Sequence, residues 1–187
     1  KIKSHAKVNL SLNVIGKQKS KLHDLETLVA FVDLHDQIFI KTINNKNHIV
    51  KFSGHFSDKI PKVNTVSNLL NILDKKKKLK NHKYSILIKK NIPQKAGLGG
   101  GSMNAASLIN YFEKKNKINL TLKERYSLCS KIGSDVILGI DQKNLIISYK
   151  KKTTKIKKNL KMFTLMVKPN FGCSTKSIFN RVRYYSK

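Results

Sequence analysis

Hydrophobic and polar residues alternate along the first 14 residues and predict a strand. One face carries Ile2, Ala6, Val8, Leu10, Leu12 and Val14, and the other carries Lys3, His5, Lys7, Asn9, Ser11 and Asn13. A period of two over this length is typical of a strand with one buried face. Lys7 and Asn9 therefore project from the same face, about 7 Å apart at the rise of a strand.

The middle of the chain contains further strands and one clear helix. Residues 22–34 fit either a helix or a strand, whereas 36–41 and 84–88 have the pattern of strands. Asn64 is a suitable N-cap for a helix. The apolar stripe of that helix comprises Val66, Leu69, Leu70 and Leu73.

A glycine-rich loop, 93–101, precedes two more predicted helices. Ser102 is the expected cap of the first, and its inward face would carry Ala105, Leu108, Ile109 and Phe112. Thr121-Leu-Lys-Glu124 is a capping box that predicts a second helix, which ends at Gly133. Strands are predicted at 145–149 and 162–167. The lysine-rich stretch between them, 150–161, is the best candidate for a domain boundary.

The net charge of +29 raises the alternative of a nucleic-acid-binding protein. Among the 39 basic residues, only Arg125, Arg181 and Arg183 are arginines, and the lysines are spread along nearly the whole chain. Arginine recognises bases and phosphates through paired hydrogen bonds, so a dedicated nucleic-acid reader should contain more of it. A general compositional bias is the preferred interpretation, although the charge favours anionic ligands in any case.

Size and composition set further limits. The 187 residues are 40% hydrophobic and 7% aromatic, which is enough for one full domain with a buried core. We expect a cytoplasmic protein, because no apolar run approaches the roughly 20 residues of a membrane span and the first residues lack the apolar stretch of a signal peptide. Cys129, Cys173 and the six histidines show no metal-ligand spacing, so no metal-binding residue is predicted.

The glycine-rich loop carries the clearest chemical signal. Glycine lets backbone N–H groups turn toward a ligand, and a helix N-terminus adds roughly half a positive charge, so loop and helix together predict a phosphate site. The spacing fits neither a P-loop, which needs Gly-Lys-Ser/Thr, nor the dinucleotide fingerprint. The alternative is a flexible hinge, but a hinge does not need a helix of small residues directly after it.

The loop sequence Pro-x-x-x-Gly-Leu-Gly-Gly-Gly-Ser with Ala105-Ala106 after it resembles the phosphate loop of the GHMP small-molecule kinases. Three further segments narrow the resemblance: Ala6-Lys7-Val8-Asn9-Leu10, Leu22-His23-x-Leu25-x-Thr27 and Gly133-Ser-Asp135-Val136. Together they look like the branch of this family that phosphorylates the 2-hydroxyl of 4-diphosphocytidyl-2-C-methyl-D-erythritol in the non-mevalonate route to isoprenoids. The resemblance runs from about Ile2 to Phe179.

The resemblance implies a role for each motif. Asp135 would be the catalytic base, and Lys7 would hold the acceptor hydroxyl and the phosphoryl group. The cytidyl diphosphate would be held by Asn9, His23 and Thr175. The nucleotide would be held by Asn64, Pro93, Gln94, Lys95, Ala96, Gly97, Leu98, Gly99, Gly100, Gly101, Ser102 and Met103. The implied cofactors are ATP and Mg²⁺, and the implied partner is a small molecule rather than nucleic acid or a membrane.

The implied fold is α+β. Residues 1–150 would form a GHMP kinase N-terminal, ATP-binding domain of the ribosomal protein S5 domain 2-like type. Residues 151–187 would begin an incomplete, ferredoxin-like C-terminal domain, so the chain would be truncated and an apolar sheet face would lie uncovered. Leu22 stands where the family commonly has Tyr, and Met103 where a second Ser is usual. Another GHMP kinase with a different small alcohol, or a basic nucleic-acid-binding protein, remains the alternative.

Overall fold

A computed structural model of the protein describes residues 1–17, 23–148, 153–156, 162–173 and 175–186. The strands are β1 (Ile2–Lys17), β2 (His23–Ile43), β3 (Ile49–Ser53), β4 (Lys83–Lys89), β5 (Leu145–Ile147) and β6 (Thr153–Lys155). The helices are α1 (Thr65–Lys75), α2 (Gly100–Lys114), α3 (Leu122–Ile132), α4 (Leu138–Asp141) and α5 (Thr175–Phe179).

Contacts divide the chain into two compact units. Unit 1 comprises Lys1–Ala6, Asp33–Pro93 and Gly99–Gln142. Unit 2 comprises Lys7–Val32, Gln94–Leu98 and Lys143–Lys187. Strands β1 and β2 and the glycine-rich loop each contribute residues to both units.

The sheet of unit 1 is organised around β4. The second half of β2 runs antiparallel to β4, with Gln37 opposite Lys89 and Ile43 opposite Lys83. On its other side, β4 pairs with β3 in parallel. Tyr84, Ile86 and Ile88 are buried on one face, as the alternation of the sequence predicts.

Helices α1 and α2 pack together and supply much of the core of unit 1. Asn64 caps α1 as predicted, and the whole predicted stripe of that helix is buried. The inward face predicted for α2 is buried as well. Each fully buried leucine or phenylalanine in such a core contributes about 1.5–3 kcal/mol.

Helix α3 follows the predicted boundaries. Thr121 and Glu124 form the reciprocal capping box, and Gly133 is the C-cap. Hydrogen bonds from Lys78 and from the Thr121 backbone lower the pKa of Glu124 to about 2. Local sequence signals therefore locate both ends of this helix.

Unit 2 contains the first half of β2, which is the segment that fits either a helix or a strand by pattern. It is a strand because it has strand partners: Thr27 pairs with Ile147 and Val29 with Leu145 of β5. Strand β6 then pairs antiparallel with β5. The Asn144 side chain accepts a hydrogen bond from the Phe31 backbone at 3.1 Å and joins the loop before β5 to β2.

Two expectations for unit 2 are wrong. Leu10 and Leu12 of β1 are 40% and 45% exposed, although the pattern places them on a buried face. Residues 162–167 form no strand, and Phe163, Leu165 and Val167 are exposed. A hydrophobic pattern becomes a buried strand only where a neighbouring strand and a covering layer exist.

The predicted domain boundary near residue 150 stays a prediction. Residues 149–152 and 157–161 lie outside the described part of the chain. Among the described residues, no helix has the length and apolar character to cross a membrane.

Candidate active site

The glycine-rich loop has an alternating backbone. Lys95, Gly97 and Gly99 have φ values of 51°, 73° and 66°, which lie in the left-handed region. Glycine takes this conformation without steric cost, whereas Lys95 does so against the usual preference. Within unit 2, the Leu98 carbonyl accepts a hydrogen bond from the Lys7 backbone at 3.1 Å, so the loop is held against β1.

Helix α2 begins with glycines rather than with the predicted serine cap. Its N-cap is Gly99, and no side chain caps it within the described chain. Ser102 lies inside the first turn, so the prediction that Ser102 is the cap is wrong. The first intrahelical bond runs from the Met103 N–H to the Gly99 carbonyl, at 2.8 Å. The N–H groups of residues 100–102 precede it and point out of the helix end.

Close packing accompanies this start, which lies three residues earlier than predicted. A Cβ on Gly100 would lie 3.1 Å from the Ile92 side chain and 3.3 Å from the Lys90 ammonium. These distances are shorter than most real Cβ contacts, so a side chain at Gly100 would require Ile92 and Lys90 to shift by a few tenths of an ångström. Serine is a good cap by propensity, but the observed start has Gly99 as the N-cap and Gly100 in a tightly packed position.

The starts of α1 and α2 and the end of α3 converge within unit 1. The Thr65 hydroxyl donates to the Gly101 carbonyl at 2.7 Å. A Cβ on Gly133 would lie 3.6 Å from the Ser102 hydroxyl. Asp135 follows two residues later in the turn between α3 and α4, where it is half-buried and accepts a hydrogen bond from Ser134 at 3.2 Å. The predicted base therefore follows Gly133, a neighbour of the first turn of α2, by two residues.

The side chain of Asn64 is engaged in capping. Its oxygen accepts from the backbones of Val66 and Ser67, and its nitrogen donates to the carbonyls of Pro61 and Lys62. These bonds use both lone pairs and both protons of the amide. A nucleotide contact at this position would therefore use the Asn64 backbone, or would require the cap to open.

Met103 faces the interior. It is 2% exposed, and its sulfur would lie 2.9 Å from a Cβ on Gly139. The side chain at this position packs against α4 instead of pointing at the helix end. A serine here would place its hydroxyl in the same apolar contact.

Lys7 and Asn9 start a chain of hydrogen bonds in unit 2. The Lys7 ammonium donates to the Asn9 side chain at 2.7 Å, as expected for two residues on one strand face. Asn9 donates to the Thr27 hydroxyl at 2.7 Å, and Thr27 donates to the Ser11 carbonyl at 2.6 Å. Lys7 is only 7% exposed. A buried, hydrogen-bonded lysine is a fixed positive charge rather than one more surface lysine.

His23 lies in an aromatic group that sequence reasoning missed. Its ring stacks on Phe179 with centroids 5.2 Å apart, and Tyr185 lies at 6.5 Å. Thr175 is the first residue of α5, the helix that ends at Phe179. Leu22 falls outside the described residues. Only the fold reveals this group, because His23 and Phe179 are far apart in the sequence.

The spacing of residues in the sequence also did not predict a group of three possible metal ligands. Potential ligand atoms of His5, Asp33 and His35 all lie within 4.8 Å of one another. The pairing of β1 with β2 explains how residues so far apart meet.

Comparisons with known proteins identify relatives of the chain. Residues 64–147 match the family described as GHMP kinases N terminal domain. The chain belongs to the GHMP kinase family. It is 52% identical over 187 residues to a 4-diphosphocytidyl-2-C-methyl-D-erythritol kinase of Pelagibacter ubique (strain HTCC1062). It is 36% identical over 188 residues to a kinase of the same name from Clostridium botulinum (strain Loch Maree / Type A3).

These relatives are longer than the chain. The match covers 100% of this chain and 66% of the Pelagibacter protein, and 97% and 64% in the Clostridium case. The chain thus spans just under two thirds of the length of the curated relatives it matches.

Solved structures agree on the fold. A crystal structure of 4-(cytidine 5'-diphospho)-2C-methyl-D-erythritol kinase aligns with a TM-score of 0.68 at 23% identity, over 97% of this chain and 64% of that one. A mevalonate kinase aligns with a TM-score of 0.55 at 20% identity, over 83% and 55%. The predicted α+β GHMP kinase fold is confirmed.

Proposed function

We propose that the protein is an ATP-dependent kinase that phosphorylates the 2-hydroxyl of 4-diphosphocytidyl-2-C-methyl-D-erythritol, a step toward isoprenoid precursors. The observation that carries the proposal is the start of α2, where glycines replace a side-chain cap and leave N–H groups for a ligand. The names of the relatives support the choice of acceptor.

The donor site would be the glycine-rich loop with the first turn of α2. The backbone N–H groups of Gly100, Gly101 and Ser102 are suited to phosphate oxygens, and the helix dipole favours negative charge there. Two oxygen groups suited to Mg²⁺ belong to this region. The Ser102 hydroxyl lies 3.6 Å from the position of a Cβ on Gly133, and the Asp135 carboxylate belongs to a residue two positions after Gly133. Mg²⁺, when bound, would neutralise charge on the transferring phosphate.

Asp135 and Lys7 would divide the chemical work. Asp135 would accept the proton of the acceptor hydroxyl, a contribution typically worth about 10²- to 10⁴-fold in rate. Lys7 would stabilise the charge that develops on the phosphoryl oxygens, worth about 4 kcal/mol at 4 Å and an effective dielectric near 20. Lys7 belongs to unit 2 and Asp135 to unit 1, so each role rests on its own observations.

The acceptor would be held by residues of unit 2. Asn9 is fixed by its bonds to Lys7 and Thr27, and His23 lies among aromatic rings. Thr175 is assigned to the same role by resemblance. An amide and an imidazole supply the directional hydrogen bonds that a cytosine ring and a diphosphate require.

The test is substrate-dependent release of ADP by the complete gene product, with this chain assayed beside it. We expect Asp135→Asn to lower turnover by about 100-fold or more while ATP still binds. Asp141→Asn is the matched control, because Asp141 is another acid of unit 1 and has no assigned role; its turnover should equal that of the wild type.

Each result has a definite meaning. Wild-type turnover in Asp135→Asn would remove Asp135 as the base. ADP release with other small alcohols but not with the cytidyl substrate would keep the kinase and change the acceptor. Nucleic-acid binding that falls steeply with salt, without any response to ATP, would favour the nucleic-acid alternative.

A further inference from the structure

A buried carboxylate, Asp36, lies beside the residues that lead into the glycine-rich loop. It is 0% exposed, and it immediately precedes the part of β2 that pairs with β4. Acids of this kind are normally solvated, and full burial requires partners for every lone pair. Asp36 therefore needs a structural or functional explanation.

Four donors satisfy the Asp36 carboxylate. One oxygen accepts from the backbone N–H groups of Asn91 and Ile92, at 2.8 and 2.9 Å. The other accepts from the Asn104 amide at 3.0 Å and forms an ion pair with Lys90. The Lys90 side chain is itself only 5% exposed. These contacts fill the four acceptor positions of a carboxylate.

The four donors lie on both sides of the loop. Lys90, Asn91 and Ile92 are the last residues before it, and Asn104 is in the second turn of α2. The Asp36 side chain thus connects the residues before the loop, the loop entrance, to helix α2, which follows the loop. The Lys90 ammonium also lies 3.3 Å from the position of a Cβ on Gly100, directly below the first residue of α2.

A stability role alone is a weak explanation for this pair. A buried ion pair loses much of its attraction to desolvation, and well-packed apolar residues often replace such pairs without loss of stability. What apolar residues cannot supply is direction, because hydrogen bonds to two backbone N–H groups fix the angle of the chain.

We propose that Asp36 is the positioning residue of the glycine-rich loop: it holds the loop entrance and α2 in the one arrangement that aims the N–H groups of residues 100–102 at the donor phosphates. This inference rests on the proposed function for the identity of the ligand. Asp36 does not touch the nucleotide; it acts through Lys90, Asn104 and the backbone.

The first experiment compares Asp36→Asn and Asn104→Ala with the wild type. Amide hydrogen exchange of residues 94–103, measured without nucleotide, should become at least tenfold faster in both variants. Asn104→Ala keeps the Asp36–Lys90 pair, so it tests the link to α2 even if Asp36→Asn does not fold.

The matched control is Glu113→Gln. It removes the ion pair of Glu113 with Arg125, which has a 2.7 Å contact and is partly buried in the same unit. Glu113 lies at the other end of α2, about 20 Å from the loop at 1.5 Å per residue. Its loop exchange should equal that of the wild type.

The second experiment measures steady-state kinetics. Both test variants should raise KM for ATP at least tenfold and leave KM for the acceptor within twofold, whereas Glu113→Gln should change neither. A general loss of stability would not separate the two KM values in this way.

The results distinguish this inference from the proposed function. Absence of ATP binding in the wild type would refute the proposed function, and loop exchange would still decide the role of Asp36. Loop exchange in both test variants equal to that of Glu113→Gln would overturn the inference. So would an equal rise in both KM values.

Discussion

The longer helices of unit 1 begin in two different ways. A capping box pairs backbone N–H groups at the N-termini of α1 and α3. Asn64 and Ser67 form the box of α1, and Thr121 and Glu124 form that of α3. At α2, the N-cap is a left-handed glycine, Gly99, without a side-chain bond. Every helix start has unpaired N–H groups. Side chains of the chain itself bond to some of these groups at α1 and α3, but not at α2.

The difference shows that side-chain capping contributes to the stability of α1 and α3 but not to that of α2. A side-chain cap contributes about 1 kcal/mol, and α2 lacks that contribution. Its own glycines also raise the entropy of the unfolded chain. The helix is instead stabilised by its buried face, so its N-terminus can remain available to an anionic ligand.

The largest expected effect comes from placing a negative charge at the open helix end. In Gly99→Asp and Gly99→Asn, the new residue adopts a left-handed conformation more readily than other residues do, so the two variants share the backbone cost. Only the aspartate variant would repel the phosphates. We expect ATP affinity at least tenfold lower in Gly99→Asp than in Gly99→Asn, measured by calorimetric titration.

The thermal midpoints of the two Gly99 variants serve as the control. The aspartate variant should be as stable as the asparagine variant or more stable, because a negative charge suits a helix N-terminus. Equal ATP affinity in the two would contradict a phosphate site at α2.

The intermediate expected effect is a loss of stability when the N-cap of α1 is removed. Asn64→Ala removes the cap and should lower the free energy of unfolding by about 1 kcal/mol, which is roughly 2–4 °C in Tm for a chain of this size. The measurement is thermal unfolding, with Asn64→Ser as the control that restores a cap.

The same two variants test the nucleotide role implied for Asn64. If Asn64 acts only as a cap, ATP affinity should recover with stability in Asn64→Ser. Recovery of stability without recovery of affinity would show a direct contact by the amide.

The smallest expected effect is a change in Tm when the charge of Glu124, in the capping box of α3, is removed. The pKa of Glu124 is lowered to about 2 because Lys78 and the Thr121 backbone bond to its carboxylate. A lowered pKa in the folded state gives stability that is present above the ordinary value of about 4 and is lost as pH falls toward about 2. Glu124→Gln should lower Tm slightly at pH 7, by less than Asn64→Ala does.

The difference between wild type and Glu124→Gln should disappear at pH 2. Thermal unfolding from pH 7 to pH 2 gives this comparison. A difference in Tm that persists at pH 2 would show that the charge of Glu124 does not stabilise α3, and ATP affinity should not change at any of these pH values.

Local sequence signals predicted the starts of the capped helices, α1 and α3, well and the start of α2 poorly. The caps and apolar stripe of α1 and the two ends of α3 follow from residues within one or two turns of each other. The start of α2 does not, because Gly100 packs closely against Ile92 and Lys90, which precede it by eight and ten residues, and no propensity rule for Ser102 includes that packing. The choice of strand for residues 23–34 likewise depends on β5, which lies more than a hundred residues further on.

By itself, the sequence determined the family, the glycine-rich loop and the elements whose signals are local. Propensity, period and caps act over a few residues, so they can be read without knowing the fold. Only the tertiary structure decided that Lys7 is buried, that Leu10 and Leu12 are exposed, and that Asp36 binds Asn104, 68 positions away. Burial and long-range hydrogen bonds depend on which surfaces the folded chain brings together, and no local pattern encodes that.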